Sequence, residues 1–166
     1  MLPKNQYVKP KSVATWIINR VDREAGESVT HLKLQKLLYY VQAWYLANFD
    51  RPLFQEDFQA WAHGPVCRDV FSKYRDCGWE ALPKENEPRV QKLRVPKKLE
   101  GFLTNVTDEY GQFSAKKLEQ ISHSEDPWKL TRGDLPVEAR CEKSIDKLLM
   151  RNYYAGRLDK KSLQKL

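Results

Sequence analysis

The chain has 166 residues, with 29 Lys or Arg against 22 Asp or Glu for a formal charge of +7, and 41% of it is hydrophobic. That length suits one domain with a real core, and three cysteines without short paired spacings (Cys67, Cys77, Cys141) argue against a disulfide framework or a zinc site. No apolar leader follows Met1, and no run approaches the roughly 18 apolar residues of a membrane span, so a soluble, cytoplasmic protein with no membrane partner is expected.

Residues 1–9 read as a flexible lead-in. A first helix is expected from about Ser12, with Val13, Ile17 and Val21 as its stripe and Gly26 as its stop. Thr30 caps a second helix over residues 31–48. There Leu34, Leu37, Leu38, Val41, Trp44 and Tyr45 form one apolar face and Leu32, Tyr39, Ala43 and Leu46 another, with Lys33, Gln35, Lys36 and Gln42 in the seams. A helix apolar on two faces needs neighbours on both, which makes this one the centre of the core.

Asn48–Pro52 reads as a turn and Leu53–Ala62 as a short strand or extended segment. Pro65 fits the first position of a third helix, where a missing N–H is harmless, with Val66, Val70, Phe71 and Tyr74 facing inward and Gly78 at its end. Pro83–Val95 reads as an exposed charged loop with a short strand around 90–95. Leu99, Phe102, Leu103, Val106 and Tyr110 give a helix stopped by Gly111. Ser114 caps the next, Asp126-Pro127 starts a short helix carrying Trp128, and a last helix is expected from Pro136 to Tyr154 with Val137, Cys141, Ile145, Leu148 and Leu149 inward. The fold class is mainly α: a single compact domain of about six helices over 10–155 around the two-faced helix, with at most a two-stranded β element around 56–62 and 90–95. Residues 156–166 are expected to form a basic, mobile tail.

The chemistry-bearing residues are sparse. His63 and Cys67 lie close in sequence, and a thiol at a helix start has its pKa lowered by the helix dipole, but no nucleophile elbow surrounds Cys67. The histidines and cysteines lack chelating spacings, and Glu56-Asp57 and Glu125-Asp126 sit where caps and turns belong. No glycine-rich phosphate loop occurs. The expectation is therefore no catalytic residue, no metal and no cofactor. What stands out is Trp61-Ala62-His63-Gly64-Pro65-Val66, a tight aromatic corner. With Trp79, Trp128, Tyr153 and Tyr154 also at element ends, interface anchoring is one reading and internal packing the other.

KLQKLLYYVQAWYLA (33–47), PLFQEDFQAWAHGPV (52–66) and LEQISHSEDPWKLTRG (118–133) together resemble the Panacea domain, the SocA-like antitoxin and phage-associated protein family. The resemblance implies a helical, non-enzymatic antitoxin that neutralises a toxin encoded by a neighbouring gene through protein–protein binding. Trp61, Gly64, Pro65 and Val66 match the W-x-x-G-P-V turn of that family, and Pro127, Trp128 and Arg132 its later P-W motif. A partner-binding set of Trp61, His63, Gly64, Pro65, Val66 and Trp128 follows, with the Lys84–Lys98 loop supplying steering charge. Two alternatives stay open: a proteolytic adaptor that delivers the toxin to a protease, with a protease or chaperone as further partner, and a basic nucleic-acid-binding phage regulator. A homo-oligomer is also compatible with the residues.

Overall fold

The computed structural model describes residues 2–3, 6–86 and 94–158. Among them are seven α-helices: α1 (Pro10–Arg20), α2 (His31–Phe49), α3 (Arg68–Tyr74), α4 (Glu100–Gly111), α5 (Ala115–Ser124), α6 (Asp126–Arg132) and α7 (Lys147–Ala155). Between α2 and α3 lies an antiparallel hairpin of β1 (Phe58–Trp61) and β2 (Gly64–Cys67), paired Phe58 with Cys67 and Trp61 with Gly64. The fold is mainly α with this one small β element.

Helix α2 is the axis of the core. Thr30 accepts the Lys33 N–H at its start, and Asp50 ends it in the left-handed region with its N–H on the Leu46 carbonyl. Both expected apolar faces are covered: α2 touches α1, α3, α4, α5, α7 and β2. Burying each large apolar side chain along it contributes roughly 1.5–3 kcal/mol. The polar seam positions Gln35, Lys36 and Gln42 are buried as well. Each has a backbone to satisfy. Gln42 accepts the N–H groups of Leu53 and Phe54 and donates to the Phe54 carbonyl, so one amide replaces a missing strand for the loop after α2.

Several boundaries differ from expectation. Helix α1 starts at Pro10, whose fixed φ suits a first turn, and stops at Arg20 because Asp22 ties up the Ala25 N–H in a loop well before Gly26. Of the expected loose lead-in, Leu2 is buried, and Arg51 binds the carbonyls of Leu2, Pro3 and Gln6. Pro65 is in β2, not in a helix, and α3 starts three residues later at Arg68. The strand paired with β1 is therefore the adjacent 64–67 segment; the expected strand around 90–95 falls largely in 87–93, outside the described residues.

The last helix is much shorter than expected. Residues 143–145 pair along β1, with the Ala60 N–H on the Lys143 carbonyl and the Ile145 N–H on the Phe58 carbonyl, and Asp146 then caps α7 through the N–H groups of Leu148 and Leu149. Cys141 and Ile145 are core as expected, whereas Val137 (48% exposed) and Leu148 (61%) are not.

Candidate functional site

The 61–66 corner is the hairpin turn itself. Gly64 has φ +96°, and a Cβ there would stand 2.8 Å from both Lys36 Cε and Ser122 Oγ, so only glycine fits this turn. Beneath it, side chains of α2 hold β2: Gln35 accepts the Cys67 N–H at 2.8 Å, and Lys36 Nζ donates to the Pro65 carbonyl at 3.0 Å. Proline is compatible with such an edge strand because it has no N–H to leave unpaired. Lys36 is wholly buried. Burial pulls its pKa down to about 7, against an upward pull from the Glu119 charge.

Behind the turn a second set of groups fixes Trp61. Its carbonyl accepts from Trp128 Nε1 at 2.9 Å. Trp128, only 5% exposed, is stacked on His123 with ring centroids 3.9 Å apart, and the Arg132 guanidinium lies 4.9 Å from its ring. Arg132 is buried and donates to four carbonyls, those of Ala60, Pro136, Val137 and Ala139. One guanidinium thus staples β1 to the loop before α7. Burial also lowers the His123 pKa, with Glu119 opposing.

In front, the corner is open. His63 is 64% exposed, with Nδ1 3.4 Å from Glu119 Oε2, while Lys116 engages the other oxygen of that carboxylate, Oε1, at 2.9 Å. Burial of Glu119 pushes its pKa up, yet the Lys116 bond and the nearby His63 and His123 charges outweigh it and leave the carboxyl below its usual range. Trp61 is half-buried, its ring 4.8 Å from Phe71 and its Nε1–H on Gln59. Beside these lies a groove of about 640 Å³ whose walls include Trp61, His63, Val66, Phe71 and Trp79.

Of the six residues expected to meet a partner, the structure brings Trp61, His63 and Val66 to this groove. Gly64, Pro65 and Trp128 are buried behind it. Cys67, expected to have a lowered pKa at a helix start, is instead shifted upward, because burial outweighs the N–H groups of Asp69 and Val70. No group of three or more His, Cys, Asp or Glu side chains with metal-holding geometry occurs among the described residues. The sequence marks Trp79 among the element-end aromatics but not as a groove wall, gives Phe71 only as an inward-facing helix residue, and does not reveal Gln35 and Lys36 as strand clamps. The Trp79 position after a helix-stopping glycine hinted at exposure; nothing marked the clamps.

A family model described as "Antitoxin SocA-like, Panacea domain" matches residues 34–129, more than half of the chain. The chain belongs to the SocA-like Panacea antitoxin family. No curated protein and no solved structure matches it. The Panacea match begins on α2 and ends in α6, taking in the hairpin, Lys36, Glu119 and Trp128 but not Arg132 or α7. No helix among the described residues is long and apolar enough to cross a membrane.

Proposed function

We propose that this Panacea-family protein neutralises a cognate toxin by binding it directly, with the 61–66 corner in the contact and no reaction catalysed. One observation supports the corner most: two buried basic side chains, Lys36 and Arg132, brace the hairpin backbone from behind while Trp61 and His63 face outward. A recognition surface gains affinity when it is ordered before the partner arrives, since less conformational freedom is lost on binding. Trp61, His63 and Val66 carry the contact in this reading. Gly64, Pro65 and Trp128 act by holding them.

Co-expression with the product of the neighbouring gene tests the proposal. The expected result is restored growth, with a stable complex on co-purification and an undiminished amount of toxin. Restored growth with vanishing toxin would favour the proteolytic adaptor instead. Neither rescue nor complex would sink the antitoxin reading.

A further inference from the structure

We infer that the groove beside the corner seats a small cluster of large apolar side chains of the toxin, held against Trp61 and Phe71 and overhung by Trp79; this rests on the antitoxin reading above. The groove measures about 640 Å³, within the range of sites that bury a drug-sized ligand and so roomy enough for more than one side chain. Trp79 is 75% exposed. An indole left in water at a concave rim is the residue type that most often dominates binding when covered.

Charge selects the class of partner. The chain carries +7 overall, but the charged residues lining the groove are two arginines (Arg75, Arg140) and two glutamates (Glu138, Glu142). Arg140 is paired with Glu142 at 2.8 Å, and Arg75 with Asp76 at 3.6 Å. A phosphate backbone is bound by uncompensated Lys and Arg. These arginines face carboxylates, so the groove suits uncharged protein side chains between rim groups of both signs, such as Phe, Trp, Leu or Met. On a basic protein, that makes this face the wrong one for nucleic acid.

The walls are set before binding. Gln35 holds the strand carrying Val66 through Cys67, and the 138–142 wall follows directly on the carbonyls fixed by Arg132 and precedes the Lys143 pairing with β1. His31 lies 4.9 Å from Phe71 ring to ring and locks that wall to the start of α2.

The test uses the full-length chain and the neighbouring-gene product, with affinities from titration calorimetry. Trp79→Ala removes the overhang at a site where the fold loses little, and Ala62→Trp fills the groove. Leu148→Ser on α7 is the control, with thermal unfolding confirming that each variant folds. The inference expects Kd to rise at least about tenfold for Trp79→Ala and for Ala62→Trp and to stay within about twofold for Leu148→Ser. Folded Trp79→Ala and Ala62→Trp proteins that bind like the parent overturn the groove assignment and leave the antitoxin reading standing. A parent chain that does not bind removes both. Quenching of Trp79 fluorescence by an oligonucleotide, with loss of toxin binding, would give the groove to nucleic acid and also overturn the inference.

Discussion

Lys36 Nζ donates to the Pro65 carbonyl at 3.0 Å from a position with no solvent exposure, so a titratable group holds the turn that defines the family motif. Because burial lowers its pKa from 10.5 to about 7, the unfolded chain binds more protons than the folded one between those values. Stability therefore rises with pH across that window, and below about pH 7 the burial cost is constant because both states are protonated. In urea melts from pH 6 to 10, the wild type is expected to gain stability relative to Lys36→Met above pH 7. A difference between the two proteins that does not change with pH would contradict a depressed Lys36 pKa.

Gly64 and His63 separate fold from contact. Gly64→Ala combines a left-handed φ with a Cβ driven into Lys36 Cε and Ser122 Oγ, and Lys36 cannot step aside without giving up the Pro65 carbonyl. The expected loss is about 2–4 kcal/mol in denaturant unfolding. His63→Ala removes only an exposed ring and its contact with Glu119, so stability should move by less than about 1 kcal/mol while toxin binding weakens. Equal destabilisation by both would make the corner a scaffold alone.

What could be read in the sequence follows from where the decisive interactions lie. Leu34, Leu38 and Tyr45 repeat at helical spacing, and that local signal is enough to place α2 at the centre with both faces covered. Gln35 and Gln42 give no such signal: a glutamine in a helix seam looks solvated until the loop it clamps is known. Val137, Cys141, Ile145 and Leu149 also fit a helical stripe, yet residues 143–145 are drawn into pairing with β1, which lies some eighty residues earlier in the chain. Pro65 satisfies the rules for a helix start and for an edge strand equally well. The pairing with β1, held from behind by Gln35 and Lys36 reaching across from α2, decides in favour of the strand. Of the groove, Trp61 and His63 were legible as a motif, while Phe71 joins them from α3 and Trp79 only through the turn that follows α3.

Arg132 is predicted to be the least replaceable side chain behind the corner. Its guanidinium serves four carbonyls at once and covers the Trp128 ring. Arg132→Met keeps much of the apolar stem but leaves those acceptors without their donor, which should cost about 3–5 kcal/mol. Arg132→Lys should recover only a small part, since an ammonium lacks the planar fork that reaches both β1 and the 136–139 loop. Guanidinium chloride unfolding of the two variants checks this; a lysine variant as stable as the parent would show that charge, not the fork, holds the loop.

Cysteine reactivity tests the reading of the corner as a binding element rather than a nucleophilic centre. Cys67 is buried under the hairpin with its thiol pKa raised by that burial, so it lacks both the thiolate and the access that attack requires. Cys77, half-buried at the end of the turn after α3, is the accessible one. Under native conditions at pH 8, iodoacetamide followed by peptide mass spectrometry should label Cys77 first and Cys67 only on unfolding, and Cys67→Ser should leave toxin neutralisation unchanged. Rapid modification of Cys67 in the folded protein, with loss of neutralisation, would bring back a chemical role for the residue that follows the W-x-x-G-P-V turn.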